Sequence, residues 1–147
     1  RESAQSHRVT YGEAMHTPIL VKRVADHKQQ FTQYGGVRPF GVSLLIGGIN
    51  DEPHLYKTDP SGAYYKWKAA AIGSGKDKAN NVLEENYDSV EGLSDSIDLA
   101  LKALRKVMNE EITSKNVEVA QIPLETKLFE RLTPEKLQDH IESLDSE

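Results

Sequence analysis

The chain has 147 residues, a length that fits one domain with a real core, and 37% apolar and 28% charged residues mark an ordinary globular composition. A net charge of −5 with scattered basic residues argues against nucleic-acid or anionic-membrane binding. The absence of cysteine excludes a disulfide framework, a thiolate metal site and a cysteine nucleophile, and is compatible with a reducing cytosol. No apolar run approaches the length of a membrane span.

Residues 1–6 read as the end of a helix, followed by a link through Tyr11 and Gly12. The first six residues carry no signal-peptide character, and the chain is expected to lack a native N-terminus. Thr17-Pro18 is a helix start, with Thr as N-cap and Pro at the first helical position. That helix should run to about Gln33, burying a stripe through Leu20, Val24 and Phe31, flanked by Val21 and Ala25. Lys22, Arg23, Asp26 and Lys28 are expected to face solvent.

Gln33-Tyr34-Gly35-Gly36-Val37-Arg38-Pro39-Phe40-Gly41 then separates the helix from an apolar strand. Paired glycines allow a sharp turn. Pro39 fixes its own φ and pushes Arg38 toward an extended conformation. Arg38 is the permanent cation of this stretch, able to fork onto carbonyls or a carboxylate. On spacing alone, the stretch is a helix-to-strand connector.

Residues 40–49 form the clearest strand. Val42, Leu44, Leu45 and Ile46 make a near-continuous apolar run, which predicts burial on both faces in the middle of a sheet. A second strand should cover residues 54–58. Asp59, Pro60, Ser61 and Gly62 form a structural turn, with Pro second and Gly fourth. A third strand over residues 63–71 completes an antiparallel meander, with Tyr65 and Trp67 on one face and Tyr64, Lys66 and Lys68 on the other.

Ser74-Gly75-Lys76-Asp77 resembles a capping box opening a helix that reaches Tyr87. From Ser94 a second helix follows, amphipathic through Ile97, Ala100, Leu101, Leu104 and Met108. Residues 116–123 and 127–132 read as strands. Thr133-Pro134 starts a last helix with Leu137 and Ile141 inward, and the acidic end from residue 142 is expected to fray. Strands and helices in blocks define an α+β class, with antiparallel sheets covered by helices.

Candidate reaction centres fail on spacing. Gly73-Ser74-Gly75-Lys76 lacks the first glycine of a phosphate loop, since position 70 is Ala, and Asp77 would repel phosphate. His7, His16, His27, His54 and His140 include no helical metal pair. Ser61 lies near His54 and Asp59 but in no nucleophile elbow. Glu84, Glu85 and Asp88 read as a solvated helix face. Tyr56, Tyr64, Tyr65 and Trp67 read as cross-strand packing. No cofactor, metal or catalytic residue is assigned.

The residues themselves thus describe a scaffold, and a family resemblance supplies the function. Phe31-Thr32-Gln33-Tyr34-Gly35-Gly36-Val37-Arg38-Pro39-Phe40-Gly41 resembles the segment joining a helix to the central strand in proteasome α subunits. Arg8 to Gly12, Leu20 to Asp26, Arg38 to Leu45, Leu55-Tyr56 with Asp59 to Gly62, Trp67 to Ala69, and Ala71 to Asp77 resemble further stretches in the same order. Asn116 to Val119 and Arg131 to Pro134 resemble the final strands and helix. Gln121-Ile122-Pro123 departs from the penultimate strand pattern, because proline cannot donate to a ladder.

The resemblance implies a four-layer αββα, Ntn-hydrolase-like fold, with antiparallel sheets between helical layers and one sheet incomplete over this span. It implies that residues 1–147 are a single domain, the C-terminal part of an α-type subunit lacking the gating tail, first helix and early strands. It implies a noncatalytic structural subunit of the core particle, forming the outer heptameric ring and the axial entry pore for protein degradation. Tyr34, Gly35, Gly36, Val37 and Arg38 would line that pore. Partners would be other α subunits, β subunits, unfolded protein substrates in transit, and ATPase or other activator caps acting through regions outside this chain. Neither nucleic acid nor membrane is expected, and the location would be cytoplasmic, and nuclear in a eukaryote. The alternatives are a catalytic β-type or bacterial-like threonine peptidase subunit, and a stand-alone interaction module. The first needs an N-terminal Thr with a free α-amine, and this chain's threonines are internal.

Overall fold

A computed structural model describes residues 2–33 and 41–145, with the side chains of residues 31–33 also outside the description. The chain divides into two compact units, residues 1–68 and 69–147.

In the first unit, helix α1 spans Glu2–Tyr11. It runs five residues past the expected end at residue 6. Gly12, at φ +73°, stops it, donating its N–H to Arg8 O at 2.9 Å. This is the left-handed C-terminal closure that glycine adopts at no steric cost. Helix α2 spans Thr17–Gln33, the expected bounds.

The sheet of this unit contains β1 (Leu44–Ile49), β2 (Pro53–Thr58) and β3 (Tyr64–Lys66), in the order β1-β2-β3. Both pairings are antiparallel. Leu44 faces Thr58 and Ile49 faces Pro53, while Tyr56 faces Lys66 and Thr58 faces Tyr64. The expected meander is therefore present, with two corrections. β1 is an edge strand among the described residues, and Leu44 and Leu45 are each 38% exposed, so neither a central position nor burial on both faces is seen. An apolar run reports a preference for two covered faces and does not report which segment covers them. β3 is three residues long rather than nine. Beyond Lys66 one further ladder bond, Trp67 N–H to Leu55 O at 2.8 Å, closes the pairing. The expected start of the first strand, residues 40–43, precedes the observed strand, and Phe40 itself lies outside the described residues.

The second unit holds α3 (Lys76–Asn86), a 3-10 turn (Tyr87–Ser89), α4 (Leu93–Val107), β4 (Ala120–Gln121), β5 (Glu130–Arg131) and α5 (Pro134–Asp145). Its core gathers Ile97 and Leu101 from α4, Ile112 and Val117 from the following loop, and Leu137 and Ile141 from α5. The inward positions expected in α5 are thus buried. Helix α4 carries a second buried pair, Leu99 and Ala103, four residues apart, whereas Ala100 and Leu104 are exposed. It packs against both α3 and α5, so one helix hides two stripes.

The capping box expected at Ser74 is not formed: Gly75 is the N-cap of α3 and makes no side-chain cap bond. A Cβ at Gly75 would stand 2.8 Å from Val107 Cβ, so the start of α3 packs directly on the end of α4. β4 and β5 pair antiparallel over two residues each, Ala120 with Arg131 and Gln121 with Glu130. Pro123 ends β4 early, and Lys127, at φ +54°, turns the chain back with its N–H on Pro123 O at 2.8 Å. The helix α5 runs through Asp145 rather than fraying from residue 142; residues 146–147 lie outside the described residues. No described helix is long and apolar enough to cross a membrane.

Candidate functional site

Tyr34, Gly35, Gly36, Val37 and Arg38, the residues assigned to the pore, lie outside the described residues, as do Pro39 and Phe40. The side chain of Phe31, assigned to the buried stripe, does too. What the structure defines is the frame from which this segment leaves and to which it returns: the C-terminal part of α2, the entry to β1, and the turn after β2.

The frame holds α2 along one face. Thr17, Val21, Ala25 and Lys28 are buried, at spacings of four, four and three, the period of a helix. The expected stripe was therefore rotated: Leu20 and Val24 are half-buried, and their flanking residues Val21 and Ala25 form the buried line. At the N-terminal end, Thr17 donates both its N–H (2.9 Å) and its hydroxyl (3.1 Å) to Asn50 Oδ1. Thr17 is thus tied to the β1–β2 turn as the first helical residue; it is not the expected N-cap, since the carbonyl of His16 accepts the Leu20 N–H at 3.1 Å. Gly48 lies so close that an added Cβ would collide with the Thr17 hydroxyl. Further along, Gly62 sits at φ +91°, where a Cβ would meet Ala25 O at 2.9 Å and Gln29 N at 3.1 Å.

The turn that presents Gly62 is closed by Asp59. Its Oδ1 accepts from Ser61 N (2.9 Å), Ser61 Oγ (2.5 Å) and Ala63 N (3.1 Å), while Gly62 N–H reaches Asp59 O at 3.2 Å. The Ser61 hydroxyl, the backbone donors and the nearby Lys28 charge hold the Asp59 carboxyl below its ordinary range, against the effect of burial. The expected Asp59-Pro60-Ser61-Gly62 turn is thus present, and it packs on the backbone of α2.

Lys28 is the main surprise. It was expected in solvent and is 3% exposed. Its Nζ donates to Val42 O at 2.8 Å and to Thr58 Oγ1 at 3.0 Å. Thr58 is fully buried and also accepts the Leu44 N–H at 3.3 Å. Burial pushes the Lys28 ammonium below its ordinary value, with Asp59 acting in the opposite sense. The helical period counted from Thr17 carries the signal that places Lys28 inward. Residue type alone points the other way, since lysine is rarely buried without partners.

This cluster is built to hold, not to react. A hydroxyl beside an amine is the pairing that activates a nucleophile. Here both acceptor positions of Thr58 are filled from inside the protein and no surface reaches it, so no substrate can approach. Ser61 spends its hydroxyl on Asp59. His54 lies at the far end of β2, about 13 Å along the strand from Thr58 at the usual rise.

Three of the five histidines have defined side-chain neighbours. His54 stacks at 6.2 Å on Tyr56, His7 contacts Tyr11 at 4.6 Å, and His140 Nδ1 pairs with Asp98 Oδ1 at 2.6 Å. No group of three metal-ligating side chains occurs among the described residues. Glu84, Glu85 and Asp88 are exposed, the solvated face expected of them. Tyr56 meets Tyr64 edge-on at 6.2 Å, and Lys57 Nζ sits 4.5 Å over the Trp67 ring, so these three aromatic residues make cross-strand contacts, whereas Tyr65 is 63% exposed.

Fold and frame together define an α+β scaffold. Comparison with known proteins takes the assignment a step further. The family described as Proteasome subunit matches residues 1–122, and the chain belongs to that family. It is 50% identical over 137 residues to proteasome subunit alpha of Thermococcus sibiricus, covering 93% of this chain and 52% of the relative. It is 48% identical over 144 residues to proteasome subunit alpha of Thermococcus kodakarensis, covering 98% and 55%. To proteasome subunit alpha 1 of Haloarcula marismortui it is 44% identical over 146 residues, covering 99% and 56%. The chain spans about half the length of these curated relatives.

Proposed function

We propose that this chain is the C-terminal part of an α-type proteasome subunit, a noncatalytic member of the outer ring of the core particle. The observation that carries the reading is identity of 44–50% to proteins named proteasome subunit alpha, sustained over 93–99% of the chain. Its two units then belong to one domain, which the rest of the subunit completes to a four-layer αββα sandwich. The exposed apolar residues of β1 suit such completion, because they are priced for burial and lack cover here.

In this reading the subunit's work is mechanical. Tyr34, Gly35, Gly36, Val37 and Arg38 border the axial aperture, and paired glycines keep a ring of adjacent loops free of side-chain bulk. Folded proteins are held out and unfolded chains pass to catalytic β subunits. Neighbouring α subunits and β subunits are the structural partners, activator caps act through other regions of the subunit, and the setting is cytoplasmic. Replacing Gly35 and Gly36 with tryptophan in the full-length subunit, assembled into particles, tests this. Slower entry of peptides and unfolded proteins is expected. Unchanged hydrolysis of both would remove the pore assignment.

A further inference from the structure

We infer that the cleft between α3, α4 and the end of α5 is a docking site for an acidic peptide segment with aliphatic side chains, its carboxylates taken by Lys102, Arg105 and Lys106. The inference is independent of the aperture reading, since every residue it uses belongs to the second unit.

The cleft holds about 720 Å³ and is lined by Val82 and Glu85 of α3, by Lys102, Arg105 and Lys106 of α4, and by Leu144 of α5. The three cations fall at i, i+3 and i+4, which puts them on one face of the helix. Val82 and Leu144, both half-buried, give the lining its apolar part. Cations in the last turn of α4 complement the helix dipole, which accounts for Arg105 and Lys106. That effect falls off within one turn and does not reach Lys102.

The end of α5 shows what this strip takes. Arg105 Nη2 meets Asp145 Oδ1 at 2.7 Å and its Nη1 donates to Leu144 O at 3.4 Å, while Leu144 lines the cleft. A leucine beside a carboxylate thus already sits on the middle cation. The flanking cations have no such match. No ion pair among the described residues engages Lys102 or Lys106, and Lys102 Nζ reaches a neutral acceptor, Asn86 Oδ1, at 3.4 Å. Both are exposed, and like charges four residues apart on a helix repel. Carboxylates brought to them relieve that repulsion. Glu85 is the opposing group, one carboxylate against two open ammonium groups.

A neighbouring recess shares Lys102 and Leu144 and carries Asp95 and Asp98. Those carboxylates are already used: Asp95 accepts the Glu91 N–H at 3.0 Å, and Asp98 pairs with His140 at 2.6 Å. They repel an acidic segment, which confines it to the stretch from Lys102 to Lys106.

The test uses the full-length subunit and a fluorescein-labelled peptide of sequence Glu-Asp-Leu-Leu-Asp-Glu, read by fluorescence anisotropy at about 50 mM salt. Saturable binding with a Kd of about 10–500 μM is expected, the range that a few exposed ion pairs and an apolar contact supply. Lys102→Glu combined with Lys106→Glu should weaken binding by about tenfold or more. Lys115→Glu combined with Lys136→Glu makes the same change in net charge at exposed positions outside the cleft, and should weaken it less than about twofold. Asp145→Asn frees Arg105 and should tighten binding about threefold. Serine in place of both peptide leucines should weaken it about threefold or more. Should the charge-reversed cleft variant fail to fold, Lys102→Gln with Lys106→Gln carries the same comparison.

Absence of saturable binding would overturn the site. So would equal weakening by the two paired charge reversals, which would reduce the effect to general attraction. Equal affinity for the serine peptide, or for a single-stranded oligonucleotide of the same charge, would overturn the acidic-aliphatic class of partner. Unchanged affinity in Asp145→Asn would remove Arg105 from the strip. None of these outcomes bears on the Gly35 and Gly36 variants, so the docking site and the aperture reading fail separately.

Discussion

Replacement of Gly62 by alanine probes the frame most sharply. Two costs combine. At φ +91° an alanine is strained by about 1–2 kcal/mol relative to glycine. The new Cβ would also press on helix backbone, at 2.9 Å from Ala25 O and 3.1 Å from Gln29 N. Backbone inside a helix cannot swing aside, so a further cost of about 1–3 kcal/mol is expected from overpacking. Gly12 isolates the first cost, because it has φ +73° with nothing within 4 Å of an added Cβ. Gly62→Ala should therefore be less stable than Gly12→Ala by about 1–3 kcal/mol. With a urea dependence of about 2 kcal/mol per molar, its unfolding midpoint should lie lower by about 0.5–1.5 M. Fluorescence of Trp67, the single tryptophan, reports the transition from within the same unit. A midpoint for Gly62→Ala at or above that of Gly12→Ala would refute the packing of the turn on α2.

Three further outcomes are expected. Leu101→Ala, at a fully buried core position, should lose about 2–5 kcal/mol in urea unfolding, whereas Leu104→Ala, 39% exposed, should lose less than about 1 kcal/mol. Asn50→Ala should lower the thermal midpoint by removing the acceptor for both Thr17 donors, at about 1–3 kcal/mol, while Asn50→Asp keeps that acceptor and should stay near wild type. Asp59 titrates below its ordinary value of 3.8, so its contribution to stability is fully present above pH 3.8 and is lost as the pH falls through the lower folded value. Stability below pH 3.8 should accordingly fall more steeply in wild type than in Asp59→Asn, and equal slopes would count against the turn's charge-assisted bonds.

How much could be read before the structure depended on whether the signal was local. Thr17-Pro18 and Thr133-Pro134 mark α2 and α5 because a fixed φ and a missing N–H act on the residue itself. Asp59-Pro60-Ser61-Gly62 marks its turn for the same reason. The exposed edge of β1 was illegible, because Leu44, Leu45 and Ile46 state a preference whose fulfilment depends on segments elsewhere. Lys28 was misread through its residue type. Its spacing from Thr17 puts it on the buried face, but its two acceptors, Val42 O and Thr58 Oγ1, are 14 and 30 residues away. Partners that distant leave no local trace. Ser74 shows the converse error: a plausible capping pattern lost to the close approach of Gly75 and Val107. The assignment of residues 34–38 to an aperture rests only on resemblance to a family, since Gly35 and Gly36 by themselves describe a turn.

Native mass spectrometry of the full-length subunit tests the central claim most directly. A seven-membered ring that leaves peptides uncleaved until β subunits are added is the predicted result. A stable monomer, or a ring that cleaves peptides unaided, would contradict it.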